Sequence, residues 1–97
     1  MLTKTQKQYL KGLANTVRPL VMIGKNGLNE NVLESINEVL DAHELVKISV
    51  LNNCEIPASE LAIDISVSCH CDIVSQLGRK ITVYRKNLKE PVIRLPK

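Results

Sequence analysis

Leu20 to Ile36 reads LVMIGKNGLNENVLESI. Four apolar residues run into Gly24-Lys25-Asn26-Gly27, and a helical pattern begins directly after them. The apolar run, Leu20 to Ile23, reads as a short buried strand. Asn29 stands where an N-cap belongs, Glu30 places negative charge at the positive end of the helix dipole, and Leu28 with Leu33 has the spacing of a hydrophobic staple. Val32, Leu33, Ile36, Val39 and Leu40 form one apolar stripe, with Glu34, Glu38 and Asp41 opposite. The next apolar run, Leu45 to Leu51, reads as a second strand. Strand, helix and strand in that order make a crossover unit, most simply right-handed with parallel strands.

On the N-terminal side, Thr3 and Gln6 stand at capping-box spacing, and Tyr9, Leu10, Leu13, Ala14 and Val17 recur at helical intervals. They predict an amphipathic helix over roughly residues 4–15, weakened slightly by Gly12 and ended by Arg18-Pro19. Lys4, Lys7 and Lys11 follow the steps that keep side chains on one helix face.

On the C-terminal side, two patterns compete. IDISVSCHC, Ile63 to Cys71, alternates apolar and polar residues like a strand, whereas Leu61, Ala62, Ile65 and Cys69 fit a helix. The next strand candidate, Ile73 to Leu77, leaves almost no room to turn, so a helix is assigned from about Ala58 to His70. Gly78-Arg79-Lys80 turns the chain into a last strand, Ile81 to Tyr84. The tail NLKEPVIRLPK reads as an extended edge segment or a loosely held terminus.

The chain has 97 residues, 44% of them hydrophobic and 24% charged, which bounds it to one soluble domain with a single core. It has no run long enough to span a bilayer and no signal-peptide h-region. Three cysteines without framework spacing fit a reducing compartment. A cytoplasmic protein is expected. The net charge of +3 conceals a strong segregation. Residues 1–29 carry five basic side chains and no acid, residues 30–78 one lysine against nine acids, and residues 79–97 seven basic side chains against one acid. If the two ends meet in the fold, they form the basic face expected of a polyanion binder.

Gly24 to Gly27 has two readings. It is a plain tight turn, or a loop whose amides and Lys25 hold one or two phosphates ahead of a capped helix. It matches neither a Walker loop nor a dinucleotide fingerprint. Its G-x-x-G spacing is that of the backbone clamp in KH modules. Cys69-His70-Cys71 lacks a second ligand pair, and on a helix its cysteines point apart, so no metal is assigned and Cys69 is given to packing. Two tyrosines, with no Phe or Trp, argue against a sheet face that stacks bases, and Tyr84 is assigned to the core. No acid–base constellation, and hence no catalytic residue or cofactor, is indicated.

LKGLANTVRPLVMIGKNGL, NENVLESI, HELVKI and LGRKITVYRK together resemble the YhbY family, also called the CRM (chloroplast RNA splicing and ribosome maturation) domain. The resemblance covers nearly all of residues 1–97. It implies a compact α/β domain with a four-stranded mixed sheet and about three helices, similar to the C-terminal domain of translation initiation factor three. It also implies a helix over 58–70. Functionally it implies non-catalytic RNA binding linked to precursors of the large ribosomal subunit. The RNA surface would comprise Gly24, Lys25, Asn26 and Gly27, with Lys4, Lys7, Lys11, Arg18, Arg79, Lys80, Arg85 and Lys86 around them. Residues 52–72 depart from the family pattern, and nothing is carried over there.

The expected function is therefore rRNA binding during large-subunit assembly, with no membrane and no small-molecule substrate. Two rivals stand beside it: a protein-binding adaptor that uses the acidic helix 30–43, and a small enzyme that binds a phosphorylated ligand in the same loop.

Overall fold

The computed structural model describes residues 2–87, 89, 91, 93 and 95. Three helices and four strands alternate along it as α1 (Lys4–Ala14), β1 (Val21–Ile23), α2 (Glu30–His43), β2 (Leu45–Val50), α3 (Ala58–Cys69), β3 (Asp72–Leu77) and β4 (Lys80–Tyr84). The strands form one mixed sheet in the order β1-β2-β4-β3. β1 lies parallel to β2, with Val21 opposite Ile48, as the crossover reading requires. β4 is antiparallel to both neighbours, with Leu45 opposite Tyr84 and Leu77 opposite Lys80.

Local chemistry sets the helix ends. Thr3 Oγ1 accepts from Gln6 N at 3.1 Å while Gln6 Oε1 accepts from Thr3 N at 3.0 Å, a complete capping box. Asn29 Oδ1 caps α2 by accepting from Val32 N at 2.9 Å. Helix α3 ends at His70, whose left-handed backbone (φ 52°) stops the helix before the chain enters β3.

Alternation along the strands builds two cores. Val46, Ile48, Val50, Ile81 and Val83 face α2 and α3, and pack with Ile36, Leu40, Leu61, Ile65 and Cys69. Leu45, Val74 and Tyr84 face the other way and pack under Leu10 and Ala14 of α1. Tyr84 is thus a core residue. In α3, Leu61, Ala62, Ile65 and Cys69 are buried while Ile63 and Val67 are 58% and 68% exposed. Those two outward apolar side chains produce the strand-like alternation of 63–71.

The end of the sheet where β2 begins is fastened by Glu44, which is wholly buried. Its carboxylate accepts from Asn87 N at 2.7 Å and from Ile93 N at 2.6 Å. Its own N–H donates to Leu40 O at 2.8 Å and its carbonyl accepts from Arg85 N at 2.9 Å. These bonds hold a non-glycine residue at φ 65° and ψ -36°, a sparsely populated conformation disfavoured by about 1–3 kcal/mol. In the tail, Ile93 and Leu95 pack against the α1 core. The edge-or-loose reading of the tail falls partly on Leu88, Glu90, Val92, Arg94, Pro96 and Lys97, which lie outside the described residues.

Glu44→Ala is expected to lower unfolding free energy by about 3 kcal/mol, because two N–H groups lose a charged acceptor in a buried site. Glu44→Gln, which keeps one acceptor oxygen, should lose less. A urea midpoint for Glu44→Ala equal to that of the unmodified chain would show that these bonds contribute nothing.

Candidate nucleic-acid interface

Because β1 and β2 are parallel, both finish at the same end of the sheet, where the β3–β4 turn also lies. Three connections therefore converge there: 24–27, 51–57 and 78–79. Val50 N donates to Arg79 O at 2.8 Å and Leu51 N to Ile23 O at 2.8 Å. Arg79 Nη1 donates to Leu51 O at 3.2 Å, and a Cβ placed on Gly24 would lie 3.6 Å from Leu51 and 3.5 Å from Asn53. Lys25, Arg79 and Lys80 thus belong to one end of the molecule.

The glycine loop is closed by Gly27 N donating to Gly24 O at 3.0 Å. Lys25 and Asn26 form its exposed tip, and among the described residues their N–H groups have no acceptor. Helix α2 itself is less open to an anion, since Asn29 already caps it and Glu30 occupies its first turn. The loop tip thus offers two free donors, beside the Lys25 ammonium. Leu51, Asn53 and Ile56, which border the glycines, supply no acid–base pair for a catalytic site.

The two basic segments do meet. Lys11 of α1 and Lys80 of β4 line one groove between the C-terminal half of α1 and the uncovered part of the sheet. Lys47, the one basic residue of the acidic central segment, lies between them and donates to Ala14 O at 3.3 Å. Sequence reasoning passed over Lys47; the signal was its place in the alternation of LVKISV, opposite to Val46 and Ile48.

The remaining candidates lie elsewhere. Lys4 is exposed on the first turn of α1, and Lys7 borders Cys71 and Asp72 at the start of β3. Arg18 lines a small cleft with His43 and Leu45, and Lys86 is exposed beyond β4, both at the Glu44 end. Arg85 does not join the basic surface. Its guanidinium donates to Asn37 Oδ1 (2.8 Å), Asn37 O (3.3 Å), Cys69 O (2.7 Å) and Asp41 Oδ1 (2.8 Å), tying β4 to both α2 and α3. The pair with the exposed Asp41 adds little by itself, whereas the part-buried bonds to Asn37 and Cys69 fix the arginine to the helical layer.

All three cysteines are buried and free. Cys71 Sγ donates to Ile65 O at 3.7 Å, and burial, with a smaller contribution from Cys69, pushes its pKa up to about 12. Burial likewise raises Cys69 and Tyr84, with Glu44 adding to the shift at Tyr84. No group of three or more ligating side chains converges among the described residues.

Two measurements follow from this geometry. An unfolded thiol gives up its proton near pH 9 and the folded Cys71 only near 12. Stability is thus fully present below pH 9 and falls as pH rises toward 12, and Cys71→Ala should flatten that decline in urea midpoints. An unchanged slope would assign the decline to other groups. At the loop, Gly27 has φ +63° and a Cβ there would approach Ile56 to 3.2 Å, so Gly27→Ala should cost about 1–2 kcal/mol. Gly24→Ala meets only ordinary contacts and should shift stability by less than about 0.5 kcal/mol. The opposite ranking in denaturation would contradict this loop geometry.

Residues 2–85 match the family model described as the CRS1 / YhbY (CRM) domain. The chain is 35% identical to "Probable RNA-binding protein YqeI" of Bacillus subtilis over 99% of its own length and 100% of that protein's. It is 38% identical to an "RNA-binding protein" of Haemophilus influenzae, covering 99% and 96% of the two chains. The solution structure of the hypothetical protein SAV1595 from Staphylococcus aureus superimposes with a TM-score of 0.83 at 38% identity, over 99% of this chain and 100% of that one. With this match over residues 2–85 and these relatives, the chain belongs to the CRS1/YhbY (CRM) domain family.

Proposed function

We propose that this protein is a non-enzymatic, cytoplasmic RNA-binding protein that engages rRNA during assembly of the large ribosomal subunit. The loop Gly24–Gly27 grips the RNA backbone, with a phosphate held by the unpartnered N–H groups of Lys25 and Asn26 and by the Lys25 ammonium. Arg79 and Lys80, at the same end, contact neighbouring phosphates. The observation that carries this reading is the pair of exposed amide donors under a lysine. Such a tip offers two N–H donors and a cation to a phosphate oxygen. The names of the relatives, which refer to RNA binding, support the same ligand.

Arg85 is left out of the proposed contact surface, and Lys4, Lys7, Arg18 and Lys86 contribute only long-range attraction. No specific observation favours the adaptor or the enzyme.

Binding to large-subunit rRNA should weaken steeply with salt, and Lys25→Ala should reduce the log–log salt slope by about one unit. Gly24→Ala should weaken binding with the slope unchanged, because it obstructs approach without removing charge. Identical slopes for Lys25→Ala and the unmodified protein would remove Lys25 from the phosphate contacts.

A further inference from the structure

The groove between α1 and the open sheet face has a volume of about 450 Å³, within the range of about 300–1,000 Å³ typical of sites for small ligands. Lys47 and Thr82 are register partners on its floor, Lys11, Gly12 and Asn15 form its helical wall, and Lys80 lies toward the loop end. No carboxylate lines it, and none among the described residues pairs with Lys11, Lys47 or Lys80. Lys47 and Lys80 each make one hydrogen bond, to Ala14 O and to Ser49 Oγ, which leaves both ammonium groups with further donors.

Two features of the fold are otherwise unexplained. Gly12 sits in the last turn of α1, where glycine still disfavours the helix relative to alanine, yet a Cβ there would meet nothing within 4 Å. Packing does not require this glycine; its effect is to leave the groove wall bare. In β3, the register slips between Ile73 and Ser75, a bulge at Val74. Before the slip Ile73 faces α2 and α3; after it Ser75 and Leu77 pair with Thr82 and Lys80 and so share the groove face. Bulges re-aim side chains in this way beside functional sites. One result is that Leu77, an apolar residue 76% exposed, stands at the rim of a cationic recess.

We propose that this groove holds one unpaired nucleotide of the bound RNA, its phosphate among Lys11, Lys47 and Lys80 and its base against Leu77 over the Ser75 and Thr82 hydroxyls. The inference rests on the RNA-binding reading above and adds that the bound strand is single-stranded at this point. A recess walled by a helix on one side and a sheet below admits a splayed nucleotide but not a stacked duplex, and unpaired bases are those that proteins can read. The path is continuous, since Lys80 follows Arg79, which bonds to Leu51 beside Gly24. A backbone held at the loop therefore leads toward the groove.

The test compares anisotropy titrations of a labelled mixed-sequence single-stranded RNA and of the same strand annealed to its complement. Gly12→Leu fills the groove from the exposed wall, and because leucine is the better helix former its thermal midpoint should not fall. It should weaken single-strand binding about tenfold or more, while duplex binding stays as it was. Lys47→Met should also weaken single-strand binding, and Lys25→Ala should weaken both. If Gly12→Leu binds the single strand as the unmodified protein does, or loses equally on both RNAs, the groove does not hold a nucleotide. If Lys25→Ala nevertheless loses affinity, the loop reading stands without the groove. An unmodified protein that binds neither RNA overturns both.

Discussion

A carboxylate removed from water must be met by hydrogen-bond donors, and at Glu44 that requirement organises one whole end of the molecule. The residue sits where α2 hands over to β2, in a backbone conformation that only a well-fastened position sustains. Its carbonyl receives the N–H of Arg85, and its carboxylate receives the N–H groups of Asn87 and Ile93, so the tail is brought back under α1. Arg85 extends the fastening to α2 and α3. One buried acid and one part-buried arginine join the two helical layers and the end of the chain to a single point on the sheet.

With that end closed, the opposite end is where the chain remains exposed. Helix α1 is only 11 residues long, and its buried residues, Leu10 and Ala14, cover the half of the sheet that carries Leu45, Val74 and Tyr84. The other half of that face carries Lys47, Ser49, Lys80 and Thr82, side chains that a hydrophobic cover would leave unsatisfied. The polar half-face and the short helix are therefore mutually consistent. The parallel pairing of β1 with β2 adds the glycine loop to the same end. Rigid strands aim this loop, while its tip forms few internal bonds, a combination suited to a contact surface.

Much of this was legible in the chain. The caps at Thr3 and Asn29, the stripe from Val32 to Leu40 and the alternation of LVKISV each follow from local rules that tertiary structure leaves in force. The stretch from Ile63 to Cys71 was harder, because Ile63 and Val67 place apolar groups on the solvent side of a helix and so imitate a strand. Crowding before Asp72 resolved it. Three features were out of reach. Glu44 belongs to an acidic run and nothing marks it as buried; Arg85 stands in a basic run and nothing marks it as internal. The slip at Val74 depends on pairing with β4, a long-range matter. Lys47 was half visible, since alternation gave its face but not what lay above that face.

The segregation of charge follows from the same layering. Both helices over one sheet face come from the acidic central segment, whose exposed acids include Glu34, Glu38, Glu60 and Asp64. Helix α1 and the start of β4 come from the two basic segments, and they meet on the other face. The central segment supplies both helices of one layer, and the antiparallel pairing of β4 with β2 brings the two basic ends together on the other, so blocks of like charge along the chain become faces of like charge in space. A uniform chain of net charge +3 would attract a polyanion weakly and from all sides. On the reading proposed above, this arrangement opposes attraction at one face with repulsion at the other and would turn an approaching RNA toward the loop and the groove before any contact forms. In the proposed complex, orientation is then a property of the fold as a whole, and the few residues at the loop end would have only to hold what the field has already aligned.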